Sequence, residues 1–266
     1  MSKNDFIQFE NQDELSETYS LYLANQYLIT SYPIQFIQTR NQMIEWIIFL
    51  CHHLNFKNET LFKAISLFDI YISKSQNTEN IYSIDSVKLI AIACFSLATK
   101  IEEINCNFLN FFTENVLNAG NCQPIYTSKL LAKKEMQILQ KLNFKTNQTT
   151  CYQFLNIYQQ LFANIFKNNQ TFSFISQVCE HFLKNLIKYN NAIFMNPSDI
   201  AFIAVQQTIS HISQQQLNNE TNFYIFTFIN QIQNMFGSYH KANNYNNNNN
   251  CLFVQNKSMC IPLRNY

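Results

Sequence analysis

Cys51, His52 and His53 are the residues of this sequence whose types best suit chemistry, but their spacing works against it. They are consecutive, and adjacent side chains on a helix point about 100° apart. They therefore converge neither on one metal ion nor into a thiol–imidazole dyad. The chain has 8 cysteines, namely Cys51, Cys94, Cys106, Cys122, Cys151, Cys179, Cys251 and Cys260. No two stand at C-x-x-C spacing, so they read as reduced core thiols of an intracellular protein. A phosphate-binding loop needs clustered glycines, and the sequence has only Gly120 and Gly237, far apart. With no acid–base or nucleophile constellation left, no catalytic residue, metal or cofactor is expected.

Four ionisable residues stand out because they lie on or beside apolar stripes. Arg40 is in phase with Phe36, Ile37, Met43, Ile44 and Ile47. Asp69 follows Ile65 by one helical turn and precedes Ile72. Glu135 lines up with Leu131, Ile138 and Leu142. Lys100 closes a long apolar helix. Each could sit at the edge of its stripe and reach water. The other reading is pairing, because charges rarely stay on buried faces without a partner. Arg40, Asp69, Lys100 and Glu135 together make two possible opposite-charge pairs.

The elements that must carry these residues are helices. An amphipathic segment covers Glu14 to Tyr27, and a longer helix runs from Pro33 to Leu54. Asn58 is expected to cap a helix from Glu59 to Ile72. Further helices are predicted over Ser83–Lys100, Phe108–Leu117 and Ser128–Leu142, the last capped by Thr127 or Ser128. A second set follows at Thr150–Phe166, Phe172–Tyr189, Pro197–Ser210 and Asn222–Phe236. Asn196-Pro197-Ser198-Asp199 is a helix start, with a cap residue, a first-turn proline and an acid. In SIDSVKLIAIACFSLATK the run from Leu89 to Ala98 leaves no polar face, so this helix belongs in the middle of a bundle. The domain organisation expected is an N-terminal extension over 1–32, a first helical domain over 33–146, a second over 147–237, and an asparagine-rich tail over 238–266 that cannot build a core.

Composition agrees and excludes other classes. Of the 266 residues 47% are apolar, enough for a substantial core, while glycines number 2 and prolines 4. Sandwiches and barrels draw heavily on both for turns, so an all-α fold is expected. A net charge of +1 with 18 lysines and arginines gives no basic footprint for nucleic acid. The segment MSKNDFIQFENQDELSE has no apolar core of a signal peptide. The longest apolar stretch, Leu89 to Ala98 broken only by Ser96, is well short of the ~20 residues of a membrane span. The expected location is the nucleus or the cytoplasm.

A family resemblance now becomes specific. TRNQMIEWIIFLCHHLNFKNETLFKAISLFDIYIS resembles the opening of a cyclin box: an arginine, a tryptophan six residues later, an E-T-L-F helix start and a Leu-Asp-Arg-Phe-like sequence. LIAIACFSLATKIEE is similar to the family's central helix and its ending, and KKEMQILQKLNFKTN to its fifth-helix signature. The likeness covers about Gln38 to Phe154 and extends faintly to Phe236 through NPSDIAFIAV. It implies two repeats of about five helices, each around a central buried helix, the second truncated. The family's signature positions fall, in order, on Arg40, Asp69, Leu89, Lys100 and Glu135.

The resemblance implies a regulatory subunit of a cyclin-dependent protein kinase, acting in cell-cycle progression and not itself an enzyme. It makes Arg40–Asp69 a buried structural salt bridge and Leu89 a core position. It places Lys100 and Glu135 at the kinase-facing edge, with Ile101, Glu102 and Glu103 beside them. Glu102 and Glu103 also read as solvated acids just past a helix end. The family's substrate-docking patch survives only as a remnant around Met43 and Trp46. Gln42 replaces an apolar residue there, and Phe49 and Lys88 stand where the patch has an acid and a glutamine. Substrates or inhibitors would dock on it only in altered form. Ile70 departs from the usual arginine, and no Arg-x-x-Leu precedes the box. The alternatives are a cyclin-fold protein that binds nucleic acid as transcription factors do, or a scaffold that binds proteins without a kinase.

Overall fold

The computed structural model describes residues 12–75, 84–103, 127–165 and 169–214. The expectations for Phe108–Leu117, for Asn222–Phe236 and for the asparagine-rich tail lie outside these residues. The described residues form eight α-helices and two short 3₁₀ turns: α1 (Gln12–Asn25), a turn at Ile34–Phe36, α2 (Ile37–His53), α3 (Asn58–Lys74), α4 (Ile84–Glu102), α5 (Ser128–Lys141), α6 (Cys151–Ile165), α7 (Asn169–Leu186), a turn at Asn190–Phe194 and α8 (Pro197–Gln214). Each expected helix in the described range is present, with ends displaced by a few residues.

Helix α4 is the centre of the first set. Every residue from Leu89 to Thr99 is buried, because this segment offers no polar face. It packs chiefly on α3 and also on α5 and α2. Small residues on it, Ala91, Ala93 and Ala98, are 0% exposed and let those neighbours approach closely. Two polar residues on α4 are buried as well, and one shows how such a group is accommodated: the Thr99 hydroxyl donates back to the Phe95 carbonyl at 2.8 Å.

The second set packs α8 against α7 and α6, with α1 lying on α6. Tyr19 of α1 meets Phe154 edge-on at 5.3 Å. Polar contacts tie the end of α1 to the second set, and an aromatic pair joins the two sets. The Thr149 amide donates to the Asn25 carbonyl at 3.2 Å, and Ser198 donates to Gln26 at 3.2 Å. Phe62 of α3 stacks on Tyr152 of α6 at 5.2 Å.

With so few glycines, the chain ends helices by another route. Both α2 and α5 end in the same tetrapeptide, Leu-Asn-Phe-Lys, at 54–57 and 142–145. Asn55 (φ 53°) and Asn143 (φ 52°) take the left-handed position that glycine usually fills. The Asn55 amide donates to the His52 carbonyl and the Phe56 amide to that of Cys51; Asn143 and Phe144 repeat this with Gln140 and Leu139. These are two Schellman closures, which satisfy carbonyls that the helix ends would leave unpaired.

Candidate functional site

Arg40 is 2% exposed. Its Nε and Nη2 each donate to Asp69 at 2.8 Å, one to either carboxylate oxygen. Its Nη1 donates to the Ile187 carbonyl, just past α7, at 3.0 Å. A guanidinium fork is the group that can hold a carboxylate in two bonds and still reach a third acceptor. Burial works against the charge, but the Asp69 carboxylate outweighs it, so the Arg40 pKa is raised above its ordinary value. The Tyr32 hydroxyl donates to the same carboxylate at 3.4 Å. Burial first, then the neighbouring Asp69 charge, pushes that phenol well above its usual range. This pair is a structural tie joining α2, α3 and the second helix set.

The second candidate pair also forms, at one end of the first set. Lys100, in the last turn of α4, places Nζ 2.8 and 2.6 Å from the two Glu135 oxygens. The partners differ in exposure: the Lys100 side chain is 38% exposed and that of Glu135 10%. From beneath, the buried Ser96 hydroxyl donates to Glu135 Oε1. The carboxylate is thus fixed by a buried donor on one side and a half-open lysine on the other. Apolar side chains border the pair, with Ile101 46% and Met136 48% exposed. This edge thus combines an ion pair with exposed apolar side chains.

Glu102 and Glu103 sit beside that edge but are both engaged by α3. Glu103 Oε1 accepts from the Lys57 amide at 2.9 Å and from the Thr60 hydroxyl at 2.6 Å. The expectation that Asn58 caps α3 is corrected by this geometry. Asn58 lies inside the helix, and its side chain donates to Glu180 on α7 at 2.8 Å. No cap bond comes from the Lys57 side chain. Glu102 lies 3.8 Å from Lys63 Nζ. Burial raises the Glu102 pKa, with Lys63 opposing, and burial lowers that of Lys63, with Glu102 opposing.

Lys63 is the residue that the sequence reading overlooks. It is 5% exposed and donates to the Thr146 and Gln148 carbonyls at 3.3 and 3.2 Å, in the connection between the two sets. Four residues after Glu59, it imitates a surface ion pair. The usable signal is its place inside Leu61-Phe62-Lys63-Ala64-Ile65.

Leu89 is buried at 8% exposure and Met43 at 5%, so both belong to the core. Trp46 and Lys88 are half-buried, and Gln42 is exposed. Phe49 is 52% exposed and stacks on His53 at 5.7 Å. The described cysteines, Cys51, Cys94, Cys151 and Cys179, are free and buried. Among the described residues no cluster of histidine, cysteine or acidic side chains could hold a metal, and no helix is long and apolar enough to cross a membrane.

Comparison with known proteins agrees with this arrangement. The family model for the cyclin N-terminal domain matches residues 8–147. Cyclin-D3-3 of Arabidopsis thaliana is 26% identical over 163 residues, covering 61% of this chain and 42% of that protein. G1/S-specific cyclin-E1 of Gallus gallus is 26% identical over 140 residues, covering 53% and 32%. The chain thus spans less than half the length of either relative. The X-ray structure of a viral cyclin from herpesvirus saimiri superposes with a TM-score of 0.57 at 15% identity, covering 85% of this chain and 99% of that one. That likeness shows a shared fold, and the domain match over more than half of the sequence shows that the chain belongs to the cyclin family.

Proposed function

We propose that this chain binds and activates a cyclin-dependent protein kinase, in the service of cell-cycle progression, and that it does no chemistry itself. The observation that carries the reading is the Lys100–Glu135 pair. A carboxylate held by a buried serine and a half-exposed lysine is costly to maintain unless its remaining hydrogen-bonding capacity is used. Backbone groups of a docked kinase would use it, with Ile101 as apolar contact.

The mechanism is positional. A rigid bundle seated against the kinase's mobile helix presses it inward, so that a kinase glutamate pairs with the lysine that holds ATP. The chain lowers the free energy of the active kinase state by binding that state preferentially. The Arg40–Asp69 tie keeps the bundle rigid enough to do so. The patch remnant around Met43 and Trp46 is the place for substrates or inhibitors to dock, in altered form because Gln42, Phe49 and Lys88 depart from the family's residues. A location in the nucleus or cytoplasm follows from this role.

The test is phosphotransfer by a purified cyclin-dependent kinase, with and without the purified chain. The expected result is saturable stimulation that tracks complex formation. Binding without stimulation would favour a scaffold, and binding to DNA instead of kinase would favour the transcription-factor reading.

A further inference from the structure

The end of α4 is held by more than its own packing. Lys100 and Ile101 face outward there, while the next two residues reach back to α3. Helix α3 begins with no cap of its own: Lys57 is extended, with no side-chain bond to the helix. An acceptor for the Lys57 amide itself comes from Glu103, 46 residues further along the chain, whose Oε1 also takes the Thr60 hydroxyl. A carboxylate at a helix N-terminus satisfies an orphan donor and also complements the helix dipole. Glu102 faces the ammonium of Lys63 at 3.8 Å. That ammonium holds the Thr146 and Gln148 carbonyls. A continuous polar path therefore runs from the outward edge, through Glu102 and Lys63, to the connection between the helix sets.

We propose that Glu102 and Glu103 are positioning residues that act from inside the chain: Glu103 as the remote cap of α3, Glu102 as the anchor of Lys63, the two together fixing the end of α4 so that Lys100 stays in register with Glu135. The inference deepens the kinase-binding reading and rests on it only for its effect on affinity. The cap and the register are properties of the free chain. An acid that served as a partner contact would be free to reach outward, whereas Glu103 is committed twice to α3. Lys63 at 5% exposure has its three polar neighbours inside the molecule.

The test uses the full chain and three variants. Glu103→Ala removes the cap, Glu103→Gln keeps an acceptor oxygen in its place, and Lys63→Met keeps the volume of Lys63 without its charge. Amide hydrogen exchange and the carbon resonance of the Glu135 carboxylate are read in the free chain, and affinity is then read with a cyclin-dependent kinase. In Glu103→Ala the Lys57 amide should exchange about tenfold faster or more, as loss of a charge-assisted bond predicts. The Glu135 resonance should shift in Glu103→Ala and in Lys63→Met. Glu103→Gln should recover most of the protection and most of the resonance position. Kinase affinity should fall in Glu103→Ala and be largely restored in Glu103→Gln. Unchanged exchange with weakened affinity would make Glu103 a contact and overturn the proposal. Faster exchange with an unmoved Glu135 resonance would reduce it to local stability and overturn the positioning role. If the unaltered chain binds no kinase, the functional reading fails, while the free-chain measurements still decide this one.

Discussion

Removing the Arg40 side chain would strand Asp69 as a buried anion and free the Ile187 carbonyl, since three of its donors are committed to those two groups. Breaking a buried pair from one side typically costs about 3–5 kcal/mol. Arg40→Ala should therefore lower the melting temperature visibly, and Arg40→Lys should recover little, because an ammonium cannot bridge both oxygens and a third acceptor. A loss within about 0.5 kcal/mol would show that Arg40 is dispensable. The thiols give a second prediction at the same scale. Burial pushes Cys51, Cys151 and Cys179 up to about 12 and Cys94 well above its usual value. A raised thiol pKa means less thiolate, the reactive form, at any working pH. In the folded chain at pH 8 these four should resist alkylation, and denaturant should expose them, as mass spectrometry of labelled peptides would show. Rapid labelling of Cys94 in the native chain would contradict its burial in α4.

Among the elements, α2 and α5 share an ending that can be tested directly. An L-residue in the left-handed helical region costs roughly 1–2 kcal/mol, with asparagine among the residues that bear it best and glycine free of it. Asn55→Gly and Asn143→Gly should be neutral or stabilising in chemical denaturation, whereas Asn55→Val should lose stability by about that amount. Equal effects from glycine and valine would mean that the turn rearranges at no cost. The same two helices show what the sequence makes legible. Periodicity locates α2, α3 and α5 because each must bury one stripe, and α4 is recognisable as central because it has no polar stripe at all. Arg40, Asp69 and Glu135 are found for the same reason, as charges in apolar phase. Contacts between distant elements are not legible in this way. Asn58 looks like a cap because caps are normally local, and nothing near it announces that Glu103 will fold back to do the work. Lys63 looks like the exposed partner of Glu59 because the i, i+4 rule knows nothing of the connection at Thr146 and Gln148. The bond from Arg40 to Ile187 depends on how the two helix sets meet, which no single-helix pattern encodes.

At the scale of the whole molecule, the proposed kinase reading turns on the Lys100–Glu135 edge at one end of the first helix set. Lys100→Ala is the cleanest probe of that edge. Its side chain is 38% exposed, and the Ser96 hydroxyl still donates to Glu135 without it, so the melting temperature should fall less than in Arg40→Ala. Glu135→Ala is different: it also deprives the buried Ser96 hydroxyl of its acceptor, so it should lower stability as well as affinity. Truncating a desolvated, charge-assisted hydrogen bond in an interface typically costs about 2–5 kcal/mol. Each variant should therefore bind a cyclin-dependent kinase at least roughly thirtyfold more weakly, at about tenfold per 1.4 kcal/mol. The double variant should lose less than the sum of the singles, because the two groups bond each other and share one network. Stimulation of the kinase should fall in parallel with occupancy and return when excess variant restores the complex, since in the proposed mechanism the chain acts only by holding the active state. If Lys100 and Glu135 merely close a surface bridge, Lys100→Ala will leave both affinity and stimulation intact. Calorimetric titration and thermal unfolding on the same preparations separate these outcomes, and full affinity in a folded Lys100→Ala chain would end the kinase reading built on this edge.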